Sequence, residues 1–161
     1  MAVTIRPMRA QEFETFWQWS VENHTKELME QLCLPEDTAA KEAVAELTEM
    51  LPKGLHTEHN YLMTILENME TVGFVWTLHE EFQGRKQSFL CDFVIWQAKR
   101  RQGYATAALK LVEETAVEAG CQESVLFVRD DNAAARALYQ KCGYQVLRQK
   151  DYGKFMVKQI A

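Results

Sequence analysis

The sequence lacks the features that would place it in a membrane, in an oxidising compartment or on nucleic acid. No apolar run approaches the ~20 residues that a spanning helix needs. No basic segment followed by an apolar stretch opens the chain. These absences predict a cytoplasmic protein with no membrane partner. Cys33, Cys91, Cys121 and Cys142 are scattered and form no C-x-x-C pair, which favours free thiols over disulfides or a metal site. His56 and His59 stand three apart without further ligands nearby, so no metal is expected. No concentrated basic face is evident, which makes nucleic acid a poor partner. Repeats, low-complexity tracts and linkers are also missing. The 161 residues therefore read as one domain, 1–161, large enough to bury a core.

The charge that is present is unevenly spread. Residues 1–60 hold 11 Asp/Glu against 5 Lys/Arg, a balance of −6, whereas residues 61–161 hold 12 against 13, a balance of +1. Acidic helical faces are first of all solvated surface. A functional alternative is that the acidic part meets a cationic substrate and the later part an anionic one.

Periodicity divides the chain into alternating elements. "VTIRPM" (3–8) reads as a strand. Phe13, Phe16, Trp17, Val21, His24, Leu28 and Leu32 recur at helical spacing from Ala10 onward, with a break expected near Asn23. A second helix follows Pro35 and runs to Leu51. Residues 61–67, 71–80 and 88–96 read as a three-stranded meander joined by the turns "NME" and "EFQGRKQ". A helix over about 103–119, a strand at 124–128, a short helix entered through Asp130, Asp131 and Asn132, and two closing strands near 144–150 and 154–160 complete the order β-α-α-β-β-β-α-β-α-β-β. The strand–helix–strand segment 88–128 implies a right-handed crossover between parallel strands. An α/β fold with a mixed, mostly antiparallel sheet and helices on both faces follows.

The stretch "KRRQGYAT", Lys99 to Thr106, has an unusual polarity. Helix starts favour acids, because the peptide dipoles make that end positive. Here three cations precede the helix, and the first acid after Gly103 is Glu113. Such a turn points backbone N–H groups at one place. Gly103 admits a close ligand, and Arg100 and Arg101 can add charge-assisted bonds to phosphate oxygens. The turn is a candidate pyrophosphate cradle. Neither G-x-x-x-x-G-K-[ST] nor G-x-G-x-x-G is present, so it is no nucleotide P-loop or dinucleotide fingerprint.

A second constellation, "NAAARALYQKCGY" (132–144), lies on the short helix and its exit. Together the two segments resemble the motifs of the GCN5-related N-acetyltransferases, the GNAT superfamily, in its small bacterial members. The cofactor motif [QR]-x-x-G-x-[GA] is met by Arg100, Gly103 and Ala105. The later motif, N-x-x-A-x-x-L-Y-x-x-x-G-[FY], is met at every defined position from Asn132 to Tyr144. The resemblance implies that acetyl-coenzyme A is the co-substrate and lies between two splayed parallel strands. It implies that the amides of Arg101, Gln102, Gly103, Tyr104, Ala105 and Thr106 bind the pyrophosphate. It also implies that the backbones of Phe93 and Ile95 pair with the pantetheine arm, with the Phe93 amide facing the oxyanion. Asn132 would bond a pantetheine amide, and Tyr139 would sit beside the sulfur as general acid.

The reaction so implied is direct attack by a primary amine on the thioester. A lysine-like amine of pKa about 10.4 is only ~0.04% neutral at pH 7, whereas an α-amine of pKa about 8 is ~10% neutral, so the need for a base depends on the acceptor. Asp92, on the strand between Cys91 and Phe93, is one candidate base, since a carboxylate among apolar residues is held protonated to higher pH. His59 is the other, and a water chain is a third route. The acceptor is a small-molecule amine, such as a polyamine or an aminoglycoside-like amine, or a peptide or protein amine. The resemblance also allows a homodimer, by analogy. Two alternatives remain beside this reading: a non-catalytic acyl-CoA sensor on the same fold, and an acyltransferase using another acyl group or acceptor.

Overall fold

Seven strands form a single sheet in the computed structural model, which describes residues 2–161. They are β1 (Val3–Pro7), β2 (Asn60–Glu67), β3 (Glu70–Phe82), β4 (Arg85–Ile95), β5 (Glu123–Arg129), β6 (Gln145–Gln149) and β7 (Gly153–Gln159). Their spatial order is β1-β2-β3-β4-β5-β7-β6. All neighbours run antiparallel except β4 and β5. The helices are α1 (Ala10–Leu32), α2 (Glu36–Met50), α3 (Tyr104–Glu118) and α4 (Ala133–Lys141), with single 3-10 turns at Gly54–His56 and Gln97–Lys99. This is the order of elements that the sequence predicts. Among the described residues no helix is long and apolar enough to cross a membrane.

Two boundaries differ from expectation. Helix α1 does not break near Asn23; it continues to Leu32. Its buried stripe, Phe16, Ser20 and Leu28, keeps helical spacing through that region, and packing overrides the weak propensity of one asparagine. The turn after β3 is shorter than "EFQGRKQ" suggests. Gln83 and Gly84 both adopt positive φ, 53° and 78°. This two-residue turn suits the right-handed twist of the flanking strands, so pairing extends to Phe82↔Arg85.

Each face of the sheet has its own helical layer. Phe16 of α1 and Leu47 of α2 pack on Leu62, Phe74 and Trp76. Leu109 and Val112 of α3 and Tyr139 of α4 pack on Ile65, Val75, Leu90 and Leu126. Gly73 lets β3 and β4 close up, since a Cβ there would lie 2.0 Å from the Val94 carbonyl oxygen.

The sheet is irregular at its centre. Trp76 pairs with Asp92, but the next residue, Thr77, pairs with Leu90, which leaves Cys91 as a bulge. A bulge reverses which side chains face which layer. Leu90 and Phe93 therefore both join the α3 side, although three apart, while Val94 faces the α1 layer and Asp92 reaches Ser20 of α1. The parallel pairing of β4 with β5 runs from Gln87↔Glu123 to Leu90↔Leu126 and ends there, at the bulge. Beyond it both strands continue unpaired with each other, β4 to Ile95 and β5 to Arg129.

Candidate active site

Where β4 and β5 part, a cleft of about 570 Å³ opens, walled by α1, α2, β4, β5 and the start of α4. Its β4 edge offers backbone. The Trp96 N–H bonds the Val72 carbonyl, so the antiparallel alternation pairs Val94 with Phe74 and turns the N–H and C=O of Phe93 and Ile95 to the opposite edge. That edge is the one β5 has left. One of its groups is in use: the Ile95 carbonyl accepts from Arg100 Nε at 2.9 Å. Arg100 thus ties the strand end to the turn that follows.

The turn before α3 is built to present amides. Arg101 and Gly103 both adopt left-handed backbone, φ 63° and 82°. Gly103 is the N-cap of α3 and no side chain caps that helix, so its first-turn N–H groups have no side-chain acceptor. Tyr104, buried at 9% exposure, anchors the turn and donates from its hydroxyl to Gln102 Oε1 at 3.0 Å. Ala105 packs against the core, and Arg101, Gln102 and Thr106 are exposed. The residues of the expected cradle therefore form one uncapped helix start. Gly103 and Thr106 also line a second groove along α3 toward Lys141 and Lys158.

On α4, Asn132 caps the helix, its Oδ1 accepting from the Ala135 N–H at 3.1 Å, and it lines the cleft. About two turns further on, Tyr139 also lines the cleft. Its ring meets that of Tyr144 edge to face, with centroids 5.8 Å apart. Tyr144 is fixed in turn, its hydroxyl 2.7 Å from Ser124 Oγ and 2.9 Å from Glu113 Oε2. Burial holds the Tyr139 hydroxyl well above the usual phenol range. The group is thus a hydrogen-bond donor that resists losing its proton.

Asp92 lines the cleft as well. Burial pushes its carboxyl up to about 7, against the opposing effect of a hydrogen bond from Ser20 Oγ to Oδ2 at 3.0 Å. One and two turns beyond Ser20, His24 and Glu27 of α1 line the same wall, with Glu46 of α2 beside them. Sequence reading passed over Ser20, Glu27 and Glu46 and took His24 only as part of an apolar stripe. The signal available was the spacing Ser20, His24, Glu27, which sets three polar groups on one helix face. His59 is elsewhere. It is exposed in a turn with φ 64°, its carbonyl accepting from the His79 N–H at 2.8 Å, and it forms no part of the cleft wall. The Ile95 side chain is likewise core, at 8% exposure. The cleft thus gathers Asp92, Phe93, Arg100, Asn132 and Tyr139, and leaves His59 out.

A family model described as the acetyltransferase (GNAT) family matches residues 12–144. The chain is similar to two Bacillus subtilis (strain 168) proteins named as uncharacterized N-acetyltransferases. It is 30% identical to YycN over 147 residues, which cover 90% of this chain and 94% of YycN. It is 31% identical to YdgE over 145 residues, covering 89% and 92%. The crystal structure of YycN superposes with a TM-score of 0.82 at 27% identity, covering 93% of this chain and 98% of YycN. Spermidine N-acetyltransferase from Vibrio cholerae, crystallised with CoA and spermine, shares the fold with a TM-score of 0.70 at 15% identity, covering 98% and 95%.

Proposed function

The chain belongs to the GNAT acetyltransferase family, and from that premise we propose that it moves an acetyl group from acetyl-CoA to a primary amine, as a single domain in the cytoplasm. One observation carries the reading. Asp92, the outward backbone edge at Phe93 and the Tyr139 ring all meet in the cleft that opens where β4 and β5 part.

The residues fit the co-substrate. The strand edge at Phe93, with the N–H of Ile95, can pair with an amide-bearing arm, and the uncapped start of α3 can receive a diphosphate. The Asn132 side-chain amide nitrogen is left for a carbonyl, since only Oδ1 is used in capping. Acetyl-CoA supplies an activated acyl carbon with a thiolate leaving group.

The protein's own groups divide the remaining work. Asp92 takes the proton that an acceptor ammonium must lose before its nitrogen can attack. A carboxyl that burial raises to about 7 is poised to take up a proton near neutral pH and to release it again to water. The Phe93 N–H faces the negative charge that builds on the acyl oxygen. Tyr139 donates a hydrogen bond to the departing sulfur. Because burial raises its pKa, that bond stabilises the thiolate without full proton transfer; the second proton, which the nitrogen loses as the tetrahedral intermediate collapses, reaches the thiolate through water. His59 has no role in this scheme.

A cationic acceptor suits the opposite wall, where Glu27 and Glu46 stand; the Vibrio cholerae fold neighbour was crystallised with spermine. The test is a panel of polyamines, aminoglycosides and N-terminal peptides with acetyl-CoA, read by thiol release. Amine-dependent release supports the reading. Tight acetyl-CoA binding with no release against any amine overturns it in favour of a sensor.

A further inference from the structure

We propose that His24 is a positioning residue for acetyl transfer: its ring, held between Glu27 of α1 and Glu46 of α2, balances the negative charge around Asp92 and so keeps that carboxylate able to take up and release a proton. This rests on the reading of Asp92 as the base.

The surroundings suit a charged ring. His24 Nδ1 lies 3.6 Å from Glu27 Oε2, an ion-pair distance, and Nε2 is hydrogen-bonded to Glu46 Oε2. Both ring nitrogens therefore face carboxylates. A neutral imidazole that donates to Glu46 would turn its lone pair toward Glu27, whereas the imidazolium meets both acids with opposite charge. The interaction with Glu27, together with the hydrogen bond to Glu46, outweighs burial and raises the ring to about 9. His24 is positively charged throughout the range in which Asp92 titrates.

The ring sits one turn along α1 from Ser20, the residue that donates to Asp92. The other groups that line the cleft with Asp92 contribute less. Trp76 of β3 is its pairing partner, and Cys91 of β4 is its neighbour in the bulge. Tyr139 of α4 is held neutral. Arg129 of β5 is paired with Glu30 and Asp131. Arg100 keeps its charge but is anchored at the end of β4 by the Ile95 carbonyl, and it is not among the groups that shift Asp92. On this wall Glu27 opposes ionisation of Asp92 and His24 favours it. Without the imidazolium, Glu27 and burial would act together to keep Asp92 protonated, and a protonated Asp92 cannot accept the ammonium proton.

A purely structural clamp between α1 and α2 would make a different prediction, because losing it would alter stability and leave the Asp92 titration in place. The measurement is the Asp92 carboxyl 13C shift, followed by NMR from about pH 4 to pH 9 in the full chain without acceptor. The parent midpoint is expected near 7. In His24→Gln it should rise by roughly one pH unit, and in His24→Lys, which keeps a cation, it should return most of the way. Glu27→Gln should move it down. If His24→Gln fails to fold, His24→Lys decides the matter, because a midpoint raised by a full unit although the cation is kept contradicts the charge account. A midpoint unmoved in His24→Gln or in Glu27→Gln, or raised equally by His24→Lys, overturns the proposal. The titration needs no turnover, so it separates this inference from the proposed reaction. Where the panel supplies an acceptor, the acid limb of kcat/KM should follow the same shifts.

Discussion

The two walls of the cleft use different parts of the polypeptide. The side made by β4 and α4, with the turn before α3 beyond it, offers mainly main chain: the outward edge at Phe93 and Ile95, the left-handed turn at Arg101 and Gly103, and the uncapped start of α3. The wall made by α1 and α2 works with side chains, namely Ser20, His24, Glu27 and Glu46. Main-chain recognition depends on backbone angles and strand register, which most side-chain substitutions leave intact. A wall of exchangeable side chains on two helices can be re-addressed to another acceptor without disturbing the sheet. One scaffold can thus keep its acyl donor while its acceptor changes, with Asp92 and Tyr139 both lining the cleft between the two kinds of surface.

The comparison breaks first at Gly103. Valine cannot adopt φ near 82° without strain, and the turn should re-aim its amides. Gly103→Val is expected to weaken acetyl-CoA binding at least roughly 100-fold. At a ligand concentration of about 100 times the parent Kd, binding stabilises the parent by ~2.7 kcal/mol, whereas a 100-fold weaker variant keeps only ~0.4 kcal/mol. The rise in Tm on adding acetyl-CoA should therefore all but vanish. An unchanged rise in a folded variant contradicts the cradle.

Tyr139→Phe should come next. It keeps the ring against Tyr144 and removes the hydroxyl, so kcat is expected to fall roughly 100-fold with acetyl-CoA affinity and Tm unchanged. A variant within about threefold of the parent, under ~0.7 kcal/mol of barrier, would remove Tyr139 from the chemistry.

The smallest effect concerns stability, and it contrasts Asp92 in the cleft with His79 outside it. Burial raises Asp92 from 3.8 to about 7, so its contribution is fully present below 3.8 and is lost as pH rises through 7. Burial lowers His79 from 6.5 to about 4. Its contribution is present above 6.5 and is lost as pH falls through 4. Asp92→Asn should raise Tm by roughly 2–4 °C near pH 8 and give no gain near pH 4, while removing the proposed base. A melting curve series across this range checks the sign. A loss of stability near pH 8 would show that the carboxylate is better accommodated than its burial implies.

The sequence made the main-chain wall readable and left the side-chain wall largely hidden. Gly103 and the run from Asn132 to Tyr144 are local patterns whose spacing alone places them on a turn and a short helix. The bulge at Cys91 has no local mark such as glycine or proline, yet it decides that Asp92 faces α1. The partnership of His24 with Glu46 joins residues 22 apart, and it depends on how two helices cross, which periodicity does not report. His59 looked as well placed in the sequence as Asp92. Only the path of the chain into β2 separates them.

The division between the two walls is tested most directly by titrating 15N-labelled protein with acetyl-CoA and following amide shifts. The account predicts large perturbations at Phe93, Ile95 and residues 102–106, with the amides of His24, Glu27 and Glu46 nearly still until an acceptor is added. Perturbations concentrated on α1 and α2, with Phe93 and the start of α3 unmoved, would contradict it.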